Sequence, residues 1–144
     1  MVESLAVAVA CMSMNVYHES RGEPTEGQVA VAWVTLNRAR MRGQGVCAEV
    51  VRDQQFSWVN GGRMYQDGKS WKITPNAYPR EKQAWDKAKR ISRQVLLNKV
   101  KDPTYGSDHY HNLEAHPFWR KKLHKTLQIG GHIFYRQHIQ VAMK

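Results

Sequence analysis

The sequence predicts an α+β fold, mainly helical, with a small antiparallel sheet near the C-terminus. Two observations lead there. Apolar residues recur at helical spacing through most of the first hundred positions, and the C-terminal third changes to short aromatic and β-branched runs between glycine turns. With 144 residues and 42% apolar content the chain can bury one core, so a single domain over 1–144 is expected.

The elements follow in order. Leu5, Val9, Met12 and Val16 form one stripe, which predicts a helix over 3–21 with Glu19 as the next member of that stripe. Gly22 is read as its cap, and Pro24 holds Glu23 away from helical geometry. Thr25 with Gln28 resembles a capping box for a helix over 26–41. That helix buries Val29, Ala32, Trp33 and Leu36 and sets Arg38, Arg40 and Arg42 at its negative end. Gly43 and Gly45 stop it. Residues 46–78 are the least regular. A third helix over 80–98 buries Ala84, Ala88, Ile91 and Val95. Short strands are expected at 107–113 and 132–141, paired with each other, with a helical turn at 117–123.

Charge and cysteine usage narrow the classes. Lysine and arginine number 22 against 12 acids, a formal charge of +10, which suits an anionic partner such as nucleic acid or a bacterial envelope. No apolar run reaches the length of a membrane-spanning helix. Met1-Val2-Glu3-Ser4 lacks a basic n-region, so the apolar run after it is a poor secretory signal. Two cysteines exclude a disulfide scaffold and a four-cysteine zinc site. Cys11 is read as a small buried hydrophobe rather than half of a disulfide, as suits a reducing cytoplasm.

Several residues carry candidate chemistry. Glu19, on an apolar stripe at a helix C-terminus, sits where burial and the helix dipole would both oppose ionisation, as a general acid requires; the alternative is a surface pair with Arg21 or Arg38. Gln55, Ser57 and Trp58 supply an amide, a hydroxyl and an indole of the kind that bind sugars. Phe56 is expected to turn inward, and Trp58 is open between groove and core. His109 and His111 share a strand face and, with His132 opposite, offer three nitrogen ligands to zinc. The competing reading makes these histidines, Tyr110 and Tyr135 substrate-positioning groups near Glu19.

Glu19-Ser20-Arg21-Gly22-Glu23-Pro24 resembles the Glu-Ala-Arg-Gly-Glu motif of SleB/CwlJ-type cell-wall hydrolases. Gly27 to Ala32, Leu36-Asn37-Arg38, Val46-Cys47, Gln55-Phe56-Ser57-Trp58, Asp102-Pro103-Thr104, Gly106, His109-Tyr110-His111, Pro117 with Trp119, and Ile129-Gly130 with His132, Phe134 and Tyr135 extend the likeness in order from about 15 to 136. Ser20 replaces the usual alanine, and residues 60–80 match least. The resemblance implies a lysozyme-like fold, peptidoglycan glycan strands as substrate, and the first motif glutamate, here Glu19, as catalytic acid. It is similar to lytic transglycosylases, in which one carboxylate is acid and then base. A muramidase would instead need a second acid at about 5–5.5 Å or about 6.5–9.5 Å. Glu23 is the nearby candidate, expected instead to bond backbone amides of the next helix or an arginine.

A compact basic domain without a signal peptide is expected to be endolysin-like, made in the host cytoplasm and acting on the wall after release; a bacterial wall-remodelling enzyme trimmed of its leader would read the same. It is expected to work as a monomer with no cofactor and no metal. A nucleic-acid-binding module and a zinc-dependent amidase built on the histidines are the alternatives. No helix-turn-helix, RNP or zinc-finger pattern supports specific nucleic-acid readout.

Overall fold

The computed structural model describes residues 3–52, 58 and 61–137. Four helices carry the body: α1 (Leu5–Ser20), α2 (Thr25–Arg42), α3 (Val46–Arg52) and α4 (Lys82–Leu96). A two-stranded hairpin, β1 (Met64–Asp67) with β2 (Ser70–Ile73), lies between α3 and α4. The C-terminal third forms an antiparallel sheet of β3 (His109–Asn112), β4 (His124–Ile129) and β5 (His132–Arg136) in the order β3-β5-β4. Among the described residues no helix is long and apolar enough to cross a membrane.

Most of the expected stripe positions are buried, but Leu5, in the first turn of α1, is exposed and Ala84 only partly covered. Met12 and Val16 of α1, Val29, Ala32, Trp33 and Leu36 of α2, and Ala88, Ile91 and Val95 of α4 meet in one core, because α1 packs against the other three helices. Ala30 and Val34, on another face of α2, form a smaller cluster with Ile129 and Phe134 of the sheet, and Tyr110 touches both clusters. α2 is therefore buried on two sides.

The ends differ from expectation. Ser4 caps α1, its hydroxyl accepting from the Val7 amide at 3.2 Å. At the other end Arg21, in right-handed geometry, caps the helix in place of Gly22. Thr25 is the first residue of α2 rather than its cap, and Pro24 stands before it with no side-chain cap. Gly43 does end α2, at φ +63°, where a side chain would be strained. The segment read as irregular contains α3 and the β1–β2 hairpin, whose Asp67-Gly68 turn the sequence marks. The strand β4 was not foreseen. Its burial starts in pairs rather than alternating, with only Leu127 and Ile129 apolar, which leaves too weak an apolar pattern to read.

The largest correction concerns the cysteines. Cys11 and Cys47 are joined in a disulfide that ties α1 to α3 across 36 residues. Glu3 reinforces the same junction, since its carboxylate accepts from the Val46 and Cys47 amides at 2.8 and 2.9 Å. Cys11 is buried as expected, but as half of a cross-link. Such a bond persists where the surroundings are oxidising. Apolar surroundings do not distinguish a buried thiol from a buried disulfide, and the pairing depends on a helix that spacing did not reveal.

Arg38 is expected from the sequence at the negative end of the α2 dipole. It is instead buried, 3.2 Å from the carboxylate of a fully buried Glu49 on α3. Arg42 lies 3.6 Å from the same carboxylate, and Gln44 donates to it at 2.7 Å. The neighbouring Asn37 reaches the other way. Its amide donates to Asp102 and to the Ser107 carbonyl, both at 2.9 Å, while Asp102 accepts from Thr104 and Gly106. The Leu-Asn-Arg run of α2 thus fastens α3 on one side and the turn leading into the sheet on the other.

Candidate active site

The last turn of α1 is held by one partner after another. The Tyr17 hydroxyl accepts from the Arg80 and Glu81 amides, both at 3.0 Å, at the start of α4. His18 donates through Nε2 to the Ala77 carbonyl at 2.7 Å, and its ring stacks on Trp58 at 4.7 Å. Burial holds the His18 imidazole below its ordinary pKa, against the opposing pull of that carbonyl, so it is neutral at pH 7. The Ser20 hydroxyl donates back to Val16, and Arg21 packs over Tyr17 while pairing with Glu81 at 2.6 Å. Glu19 lies within this set of anchors, half-buried. The positions around it are thereby fixed against loop 75–81, α4 and Trp58.

Glu23 follows beyond the helix end. Its amide donates to the Ser20 carbonyl at 2.8 Å, and its own carbonyl accepts from Gln28 at 3.1 Å. The carboxylate Oε1 accepts from the Gly131 amide at 2.7 Å, across 108 residues of sequence. His132 Nδ1 is 4.0 Å from the same oxygen. The expectation of an amide-bonding role survives, with a different partner: the β4–β5 turn rather than the first turn of α2 or an arginine.

The sheet sorts the remaining candidates by register. His109 faces Tyr135 and His111 faces Ile133, while Tyr110 faces Phe134 and Asn112 faces His132. Because side chains alternate along a strand, His109, His111 and Tyr135 share one face, and Tyr110, Phe134 and His132 share the other. On the first face His111 is closed on itself. Its Nδ1 donates to the Asn112 carbonyl at 2.7 Å and its Nε2 accepts the Tyr135 hydroxyl at 2.8 Å. Trp119 packs edge-on against His111 and Tyr135, and lies tilted at 4.9 Å from His109, which pairs with Asp108 at 2.8 Å. Burial raises the Tyr135 phenol above its ordinary pKa, so it stays a donor. On the second face Tyr110 meets the His132 ring edge-on at 5.1 Å. Burial keeps His132 below its ordinary pKa, a displacement that Glu23 opposes and His111 reinforces.

The three-histidine zinc reading is therefore corrected. His132 lies on the opposite side of the sheet from His109 and His111, and among the described residues no group of three histidine, cysteine or acidic side chains is placed to hold a metal ion. The idea that Tyr110 and Tyr135 act together is split in the same way. Tyr110 and His132 face the helical body with Glu23, whereas Tyr135 and His111 bond each other beneath Trp119. Trp58 is resolved toward the core, at 4% exposure. Gln55, Phe56 and Ser57 lie outside the described residues. Sequence reasoning missed His18 and the Gly130-Gly131 turn as parts of the site. The signal for both was present, since each adjoins a residue already singled out.

This arrangement is that of a known family of wall-degrading enzymes. The chain belongs to the cell-wall hydrolase family, whose model matches residues 22–135. Glu19 lies just before that span. The chain is 34% identical over 131 residues to the spore cortex-lytic enzyme of Oceanobacillus iheyensis, covering 88% of this chain and 40% of that protein. It is 30% identical over the same length to that of Bacillus cereus, covering 88% and 43%. It thus spans about two fifths of the length of these relatives. Among solved structures it matches the catalytic domain of the germination-specific lytic transglycosylase SleB from Bacillus anthracis, with a TM-score of 0.66 and 28% identity over 94% of this chain and 97% of that one. The catalytic domain of Bacillus cereus SleB gives 0.51 and 27% over 90% and 89%. The mainly helical fold with a small C-terminal sheet, and the lysozyme-like architecture expected for it, stand.

Proposed function

We propose that this domain cleaves peptidoglycan glycan strands between N-acetylmuramic acid and N-acetylglucosamine as a lytic transglycosylase, with Glu19 as its one acid and base. The observation that carries the reading is the end of α1. Tyr17 accepts from the Arg80 and Glu81 amides, His18 donates to the Ala77 carbonyl and Arg21 pairs with Glu81, which together hold the helix end against the 77–81 segment around a half-buried Glu19. A proton-transfer group needs that rigidity. Membership of a cell-wall hydrolase family and the likeness to the SleB catalytic domain support the substrate.

The chemistry balances with one carboxyl group. Protonated Glu19 gives its proton to the glycosidic oxygen as the bond to the muramyl C1 breaks, leaving an oxocarbenium-like centre. The resulting carboxylate then takes the proton of the muramyl C6 hydroxyl while that oxygen closes on C1. A 1,6-anhydro ring forms and no water is consumed. We further propose that the enzyme acts as a monomer in the cell envelope, outside the reducing cytoplasm, where the Cys11–Cys47 bond persists and the +10 charge favours an anionic surface. Mass spectrometry of muropeptides released from purified sacculi tests the reaction. Anhydro ends, lighter by one water than hydrolytic ends, are expected from the native chain and none from Glu19→Gln. Hydrated ends alone would replace the transglycosylase reading with a muramidase.

A further inference from the structure

We infer that Glu23 is a positioning residue, a clamp that docks the β4–β5 turn and His132 onto the end of the motif helix, and that it takes no part in proton transfer. The inference rests on the transglycosylase reading of Glu19 and adds what the second glutamate of the motif is for.

Three independent features define the clamp. The backbone of Glu23 is fixed at both ends, by Ser20 of α1 and by Gln28 of α2, so its side chain leaves from a rigid junction. The carboxylate is received by backbone, with the Gly131 amide donating at 2.7 Å. The receiving turn is shaped for it. A Cβ at Gly131 would stand 2.9 Å from Oε2 and 3.6 Å from Oε1, and one at Gly130 would collide with Oε1 outright. A side chain at either position would push the Glu23 carboxylate out of its present place. Gly27 completes the cradle, since a Cβ on it would meet the Glu23 Cβ at 3.3 Å.

The clamp has something to position. Gly131 is followed by His132, which faces Asn112 in the sheet and packs against Tyr110, so the carboxylate sets the height of the sheet's helix-facing side relative to α1. Oε1 already accepts one amide and lies 4.0 Å from the His132 ring nitrogen. A carboxylate already bonded to backbone in this way is poorly placed to activate a water or attack a sugar carbon, which a second catalytic acid would have to do.

Glutamine at this site keeps an oxygen acceptor and loses the charge, whereas alanine loses both. Glu23→Gln is therefore expected to retain kcat within about threefold, as a substitution that preserves a neutral hydrogen bond allows. Glu23→Ala should raise KM by about tenfold or more, with a smaller change in kcat, because the lost contact shapes the groove rather than the reacting bond. Gly131→Ala, which alters no ionisable group, should reproduce the alanine phenotype. His132, followed by NMR, should titrate lower in Glu23→Gln than in the native chain, since the nearby negative charge that favours its protonated form is gone.

A Glu23→Gln variant as inactive as Glu19→Gln would make Glu23 a catalytic acid and overturn the clamp. So would a fully active Gly131→Ala. Should the native chain release no anhydro ends, the transglycosylase reading fails separately. The clamp is then still decided by the His132 titration and by the exchange rate of the Gly131 amide, which should rise in Glu23→Ala and not in Glu23→Gln.

Discussion

The end of α1 and the three-stranded sheet hold most of the titratable and aromatic side chains discussed above, and they use them in opposite ways. At the helix end, consecutive residues diverge around the axis. Tyr17 and Arg21 meet the start of α4 through Arg80 and Glu81, His18 reaches Ala77, Ser20 bonds back to Val16, and together they frame Glu19. In the sheet, consecutive residues alternate between two faces, so His109-Tyr110-His111 is one motif in sequence and two environments in space. Clustering in sequence marks one shared site at the helix end. In the sheet it marks the boundary between a helix-facing side and a sealed outer side.

The contrast can be broken most severely at Glu19. Glu19→Gln is expected to lower kcat on sacculi by about 10²–10⁴, toward the upper end because one group serves both proton transfers, with an unchanged circular dichroism spectrum. Near-native turnover in a folded variant would move the chemistry away from α1.

The next effect is on stability. Reduction, or Cys11→Ser, should remove about 4 kcal/mol by the chain-entropy relation for a loop of 36 residues, seen as a lower denaturant midpoint under dithiothreitol. An unchanged midpoint would mean that Glu3 and the helix packing hold the α1–α3 junction alone.

Tyr135→Phe sharpens the sheet half of the comparison. It strips the hydroxyl from His111 Nε2 and should cost about 1–3 kcal/mol for a buried acceptor left unpaired, with kcat little altered. A loss of activity without a loss of stability would return the outer face to the substrate groove.

Acid should expose both regions together. The pKa values of His18 and His132 are depressed in the folded state, so the unfolded chain binds protons first as pH falls. Their contribution is complete above about pH 6.5 and declines below it. The melting temperature should fall between pH 7 and pH 5, and less steeply when His132 is replaced by Asn. The smallest expected effect is that of EDTA. With His132 across the sheet from His109 and His111, chelation should leave the rate unchanged, and loss of activity restored by zinc would contradict that geometry.

Much of the helical body was legible because burial there follows a simple period. Val9, Met12 and Val16, or Ala88, Ile91 and Val95, announce a face whichever partner covers it. Local backbone geometry was equally readable at Gly43, where the chain needs a left-handed residue. The motif's resemblance to a wall-hydrolase family drew on the same local features.

What only the tertiary structure decided are pairings between distant segments: Cys11 with Cys47, Glu49 with Arg38, Asn37 with Asp102, and Glu23 with Gly131. None leaves a periodic trace, because each depends on where a helix end or a turn comes to rest rather than on what surrounds it in sequence. The histidines make the same point from the other side. Their residue types and spacing permitted a metal site, and strand register, set by which side of the sheet must cover α2, placed them on opposite faces.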